Sequence, residues 1–174
     1  MSSDTVPSAG PAGDLATGVW ALDPERSAVE FRSRTLYGLI GVKGRFGRYR
    51  GSLDLGARPA IELTIEADSV DTGHGRRDEH LRSADFFDVA AHPRLGFVAE
   101  AATLDGETLR TSGTLWAAGG SMPLEIAATV RPVGTEFEIE ARARVDQHGL
   151  GMDWNPLRMM RPTALLVRGR LVRG

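Results

Sequence analysis

The chain has 174 residues, with 21 Lys and Arg against 23 Asp and Glu, four His and no Cys. This length predicts one compact domain. A net charge of −2 gives no basic field for capturing nucleic acid or an anionic bilayer. The missing cysteines exclude disulfides, thiolate zinc sites and cysteine nucleophiles, and 6% aromatic residues are too few for a base-stacking platform. Every cation except Lys43 is Arg, so arginine content alone is no sign of phosphate recognition.

In chain order, residues 1–18 are rich in Ser, Pro, Gly and Ala. They carry neither the early positive charge nor the apolar run of a secretory leader. A disordered arm over 1–18, a domain over 19–174 and a cytoplasmic location are the expectations. No later stretch approaches the ~20 apolar residues of a membrane-spanning helix.

From Val19 the chain alternates with period two, the pattern of half-buried strands. Val29 and Phe31 alternate with Glu30 and Arg32, and Ile61, Leu63, Ile65 and Ala67 with Glu62, Thr64 and Glu66. Leu124 through Val130, Phe137 through Val145 and Leu165 through Leu171 repeat the pattern between glycine-containing breaks. One dry and one wet face per strand implies an antiparallel sheet. Val42, Gly44 and Phe46 share one parity, whereas Tyr49, Gly51 and Leu53 share the other, which requires a bend near Gly47–Arg48. Bends of this kind turn barrel corners, and closure removes exposed strand edges. An all-β antiparallel barrel of eight or nine strands follows.

Two segments interrupt the alternation. Residues 75–88 read as a short helix followed by an apolar pair, and residues 149–162 form a long connection carrying Met152, Trp154, Leu157, Met159 and Met160. So many large apolar groups in a connection imply that it covers an apolar site.

Catalytic candidates reduce to His74, Asp78, His80, Asp85, His92 and His148, with no nucleophile elbow. A metal-assisted hydrolase built on 74–92 is the competing reading. On a helix, however, His74 and His80 are separated by about 600° of rotation and diverge. The charged groups Arg77, Asp78, Arg82 and Asp85 read more simply as salt-bridge and capping partners fixing the segment over one barrel end. What remains is the interior. Small inward candidates, among them Gly44, Gly51, Ala128, Ala141, Ala143 and Gly169, interleave with Phe and Ile, which predicts an oily hollow along the axis. A filled β-sandwich core is the third reading.

The order of motifs resembles the YceI family of lipocalin-like, polyisoprenoid-binding proteins. Residues 20–31, WALDPERSAVEF, are similar to its opening strand pair, and 41–51, GVKGRFGRYRG, to its V-x-G-x-F-x-x-F-x-G signature. Residues 68–88, DSVDTGHGRRDEHLRSADFFD, resemble its most specific block almost position for position. The likeness covers about 19–172. It implies an eight-stranded antiparallel lipocalin-like barrel with a short helix near one end, acting as a non-enzymatic carrier of a polyisoprenoid such as a quinone tail. The implied partner is that long amphiphile, with no metal or other cofactor, no nucleic acid, no membrane span and a homodimer as an option. The implied cavity wall and cover comprise Val29, Phe31, Phe46, Phe86, Phe87, Phe97, Leu115, Ile126, Ile139, Trp154 and Met159, with His80 placed to donate to a head group if it faces inward. Three positions depart from the family: Arg26 and Thr35 stand where it usually has His, both expected near the barrel mouth, and Leu150 stands where it often has Phe.

Overall fold

The computed structural model describes residues 17–35, 40–56, 60–152 and 162–174. Of the expected arm, residues 1–16 lie outside the described residues, as do Trp154 and Met159. Strand segments β1 (Val19–Leu22), β2 (Ala28–Thr35), β3 (Ile40–Phe46), β4 (Tyr49–Asp54), β5 (Ala60–Glu66) and β6 (Val70–Asp71) precede the one α-helix of the described residues, α1 (Gly75–Arg82). After it come β7 (Arg94–Ala99), β8 (Ala102–Asp105), β9 (Thr108–Ala117), β10 (Gly120–Val133), β11 (Glu136–Val145) and β12 (Thr163–Arg173). The sheet closes because β12 pairs with β11 along one edge and with both β2 and β1 along the other.

The twelve segments make eight staves. The pairs β1 with β2, β3 with β4, β5 with β6 and β7 with β8 are each one stave broken in the middle, whereas β9 to β12 run unbroken. Neighbouring pairings show this: β3 pairs with β2 while β4 pairs with β1, and β6 pairs with β3 while β5 pairs with β4.

Each break shifts the inward parity by one residue. Trp20 and Leu22 give way to Val29 and Phe31, Phe46 to Leu53, Ala67 to Val70, and Ala99 to Ala102 and Leu104. Because side chains alternate faces, an odd shift is the only way a bent strand keeps its apolar face inside. Local bonds stitch the broken backbone: Gly47 N–H donates to Ser69 O at 3.1 Å, Ala67 N–H to Pro93 O at 2.9 Å, and Thr111 Oγ1 to Ala101 O at 2.6 Å. The breaks are neighbours, so together they form a crease across half the wall.

The crease divides the interior into two cores. Beyond it, toward the β10–β11 hairpin, Trp20, Leu53, Leu109, Val130, Phe137 and Leu171 pack together, and Trp20 meets Phe137 edge-on at 4.7 Å between ring centres. This half is solid. Ile139, expected to line the cavity, packs here, as do Ala128 and Ala141. Gly51 leaves no space here, because neighbours occupy it: a Cβ on it would meet Leu22 at 3.3 Å and Leu63 at 3.4 Å. The axial hollow expected from the sequence is therefore confined to the other half.

Arg26 is also relocated. It lies at the solid end, where its guanidinium grips Glu136 through two bonds of 2.9 Å and Asp23 through one of 2.7 Å. These bonds hold both carboxyls below their usual range. Replacing Trp20 with Ala should lower unfolding free energy by about 3–5 kcal/mol in denaturant titrations. The melting-temperature advantage of the native chain over Arg26→Gln should be full at neutral pH. It should vanish as pH falls from the ordinary carboxyl values of 3.8 and 4.5 through the lowered folded values.

Candidate functional site

The helix end of the barrel holds a cavity of about 260 Å³. Its wall comprises Phe31, Ser33, Val42, Phe46, Leu95, Leu115, Ala117, Val145 and Leu165 from the strands. Arg77, His80, Leu81, Phe86 and Phe87 close it from the helical segment, and Gln147, Leu150 and Met152 from the connection after β11.

A cross-strand pairing opens this space. Phe31 lies opposite Gly44 in the β2–β3 ladder, and its ring covers the bare glycine so closely that a Cβ there would fall 2.3 Å from Phe31 Cζ. Leaning toward β3, the ring contacts Phe46 at 5.5 Å, and Phe46 in turn meets Phe87 edge-on at 5.8 Å. Glycine at position 44 is thus a seat for an aromatic ring, not a vacancy.

In the segment 68–92 Arg77, Asp78 and Arg82 bond to Thr72 and to backbone carbonyls and not to one another as expected, while Asp68 and Asp71 pair with Arg48 and Arg45. Buried Asp78 accepts from Thr72 N–H at 2.9 Å and Thr72 Oγ1 at 2.5 Å. Arg77 donates to Thr72 Oγ1 and Thr72 O, and Arg82 to the carbonyls of Asp68 and Val70. His74 caps α1 through Nδ1, which accepts from Arg77 N–H. After Arg82 the chain folds back, with Phe87 N–H on Leu81 O and Val89 N–H on Arg82 O, and this turn presents Phe86 and Phe87 to the barrel. His80 does face the cavity, with Nε2 at 3.0 Å from Asp85 Oδ2 and its ring edge-on to Phe86 at 5.0 Å.

Every polar side chain of the lining already has a partner within the protein. Ser33 Oγ and Thr163 Oγ1 lie 2.6 Å apart, Thr163 Oγ1 donates to Gln147 Oε1 at 3.4 Å, Arg77 donates through Nε and Nη2 to Thr72, and His80 Nε2 meets Asp85. Water in such a space finds few of the two to four partners it needs, so the cavity favours a carbon-rich guest. Among the described residues no three His, Asp or Glu gather in a way that could hold a metal ion.

Of the residues expected to form the site, Phe31, Phe46, Phe86, Phe87 and Leu115 line the cavity. Val29 and Phe97 are buried in the surrounding core. Ile126 packs against that core and borders a separate outer groove. Alternation identifies inward residues but not which half of the barrel they enter. For the same reason Ser33, Val42, Ala117, Val145 and Leu165 escaped selection, although their parity was available.

A closed eight-stave meander with a helix over a partly hollow end defines a lipocalin-like barrel. Among solved structures, Burkholderia cenocepacia BcnA superposes with a TM-score of 0.77 at 16% identity, covering 87% of this chain and 99% of that one. A polyisoprenoid binding domain from Saccharophagus degradans, implicated in plant cell wall breakdown, superposes at 0.70 and 15% identity, covering 89% and 98%. The YceI-like domain model matches residues 20–168. A UPF0312 protein of Pseudomonas paraeruginosa and Protein YceI of Escherichia coli are each 30% identical over 159 residues, covering 83% of this chain and 83% of theirs. The chain belongs to the YceI family.

Gly44→Ala should force the Phe31 ring toward the cavity. The expected cost is about 1–3 kcal/mol in denaturant unfolding, together with weaker uptake of a small apolar probe. Asp78→Ala, which removes the acceptor of Thr72 N–H and of its hydroxyl, should cost a similar about 1–3 kcal/mol without changing the cavity lining.

Proposed function

We propose that the protein binds the apolar chain of an isoprenoid or similar amphiphile, such as a quinone tail, in the helix end of its barrel and does so without catalysis. The observation carrying this reading is a cavity lined mainly by carbon, whose few polar side chains each already have a partner within the protein. The polyisoprenoid-binding domain among the structural neighbours supports the ligand class.

The driving force is hydrophobic transfer. At about 30 Å³ per water-sized group, 260 Å³ accommodates roughly nine such groups. Burying a similar number of methylenes, at about 0.8 kcal/mol each, contributes about 7 kcal/mol before the entropic cost of immobilising the chain. A long polyisoprenoid therefore has only one end inside.

Native mass spectrometry of protein purified without detergent should show added mass that moves to an organic extract. A clean apo mass and a lipid-free extract would overturn the reading. Ala117→Phe, which extends a buried cavity-lining side chain into the void, should abolish uptake while the barrel still melts cooperatively.

A further inference from the structure

The barrel wall is incomplete between β10 and β11. Their ladder runs from the hairpin only as far as Ala127↔Arg142, although β10 continues back to Gly120 and β11 on to Val145. Above the gap, the turn Gln147–Leu150 returns to β10, where Gly149 abuts Met122 and Gly120 abuts the Leu150 carbonyl. Between them Glu125 and Ile126 on one strand and Ala143 and Arg144 on the other have no ladder pairing with one another, a slit in the hydrogen-bonded wall.

Outside the slit lies a groove of about 1230 Å³. Outward residues such as Arg110, Ala127 and Arg142 line it together with the inward residues Phe31, Ile126, Ala143 and Leu165. The lining runs through consecutive residues of each strand, 125–127 on β10 and 142–144 on β11 among them, so the groove follows the strand backbone past the point where the β10–β11 ladder ends. Phe31 and Leu165 also line the internal cavity, and Ala143, Leu165 and Phe31 are successive partners across β11, β12 and β2. Because the Phe31 ring leans onto Gly44, it is drawn away from this path.

The groove's chemistry follows from two rows of outward residues. Arg110, Ala127, Arg142 and Leu166 are successive partners in one row, and Arg144, Ala164 and Arg32 in the next. The alanines form a low floor between arginines, and Glu125, which has no ion-pair partner among the described residues, borders the same groove. Arg142 is paired with Glu140 at 2.5 Å and Arg168 with Glu30 at 3.2 Å, whereas Arg32, Arg110 and Arg144 have no ion-pair partner among the described residues. The significance lies in their placement around one opening, since arginine is abundant throughout the chain.

We infer that this groove is a head-group site for an amphiphile with a phosphate or carboxylate head, whose chain passes through the β10–β11 slit toward the cavity. The inference rests on the proposed binding of an apolar chain. It also accounts for a cavity too small for a long chain, since the remainder has a route out and an anchored end. Unpaired guanidiniums above an apolar floor complement an anionic head at the boundary of an oily tail.

Farnesyl monophosphate and farnesol, titrated into the full chain, test it. The native protein should bind the phosphate at least tenfold more tightly, and inorganic phosphate should not compete at equal concentration. Arg110→Gln combined with Arg144→Gln should abolish that preference and leave farnesol affinity unchanged. Equal binding of both probes by the native chain, a preference retained in the double variant, or full competition by inorganic phosphate would overturn the head-group site while leaving the cavity reading intact. Failure of both probes to bind would overturn the cavity reading and this inference with it.

Discussion

The constraint on which this structure depends is the alternation of side chains along a strand. A stave that bends without gaining or losing an odd residue turns its apolar face outward, so four adjacent staves each shift parity at the crease. That shared shift lets one sheet wrap two interiors of different character. Tyr49, Ile61 and Val167 touch both cores and form the partition between them. On one side Trp20 and Phe137 meet and fill the axis. On the other, aromatic rings lie back against the wall and the axis stays open.

The open half is kept open by polar bonds as much as by apolar packing. Asp78, Arg77 and Arg82 each bond to the backbone or a hydroxyl of 68–72, which fixes α1 as a cover. No buried polar side-chain atom among the described residues lacks a partner. A half-satisfied network here would admit water and compete with an apolar guest. The charged motif therefore serves the cavity by being inert toward it, and His80 faces inward while its Nε2 is held by Asp85.

The outer surface follows a related logic. Where arginines on neighbouring strands flank alanines, the wall is low between high edges, and where the β10–β11 ladder ends, this trough meets the interior. Some cations elsewhere are tied into pairs, such as Arg26 with Glu136 and Arg131 with Glu138. The trough keeps three arginines outside such pairs beside the opening. Charge and apolar volume thus converge on one side of the barrel without mixing.

The sequence by itself determined the class of fold and the dry face of nearly every strand, because period-two patterning is a local property that burial enforces directly. The bend at Gly47–Arg48 was legible for that reason, and the dense block 68–88 gave the family likeness that the domain match places on the chain. Only the tertiary structure decided which inward residues meet across the axis. Ile139 and Phe31 have equivalent patterns, yet one fills a solid core and the other frames a cavity, since the difference depends on which staves break and at what height. Glycine was ambiguous in the same way: a missing side chain is a hollow only if no distant residue occupies it, and Phe31 occupies Gly44. The slit and its arginines were invisible to any one-dimensional pattern, because they depend on where a ladder stops and on which rows from separate strands come to lie side by side.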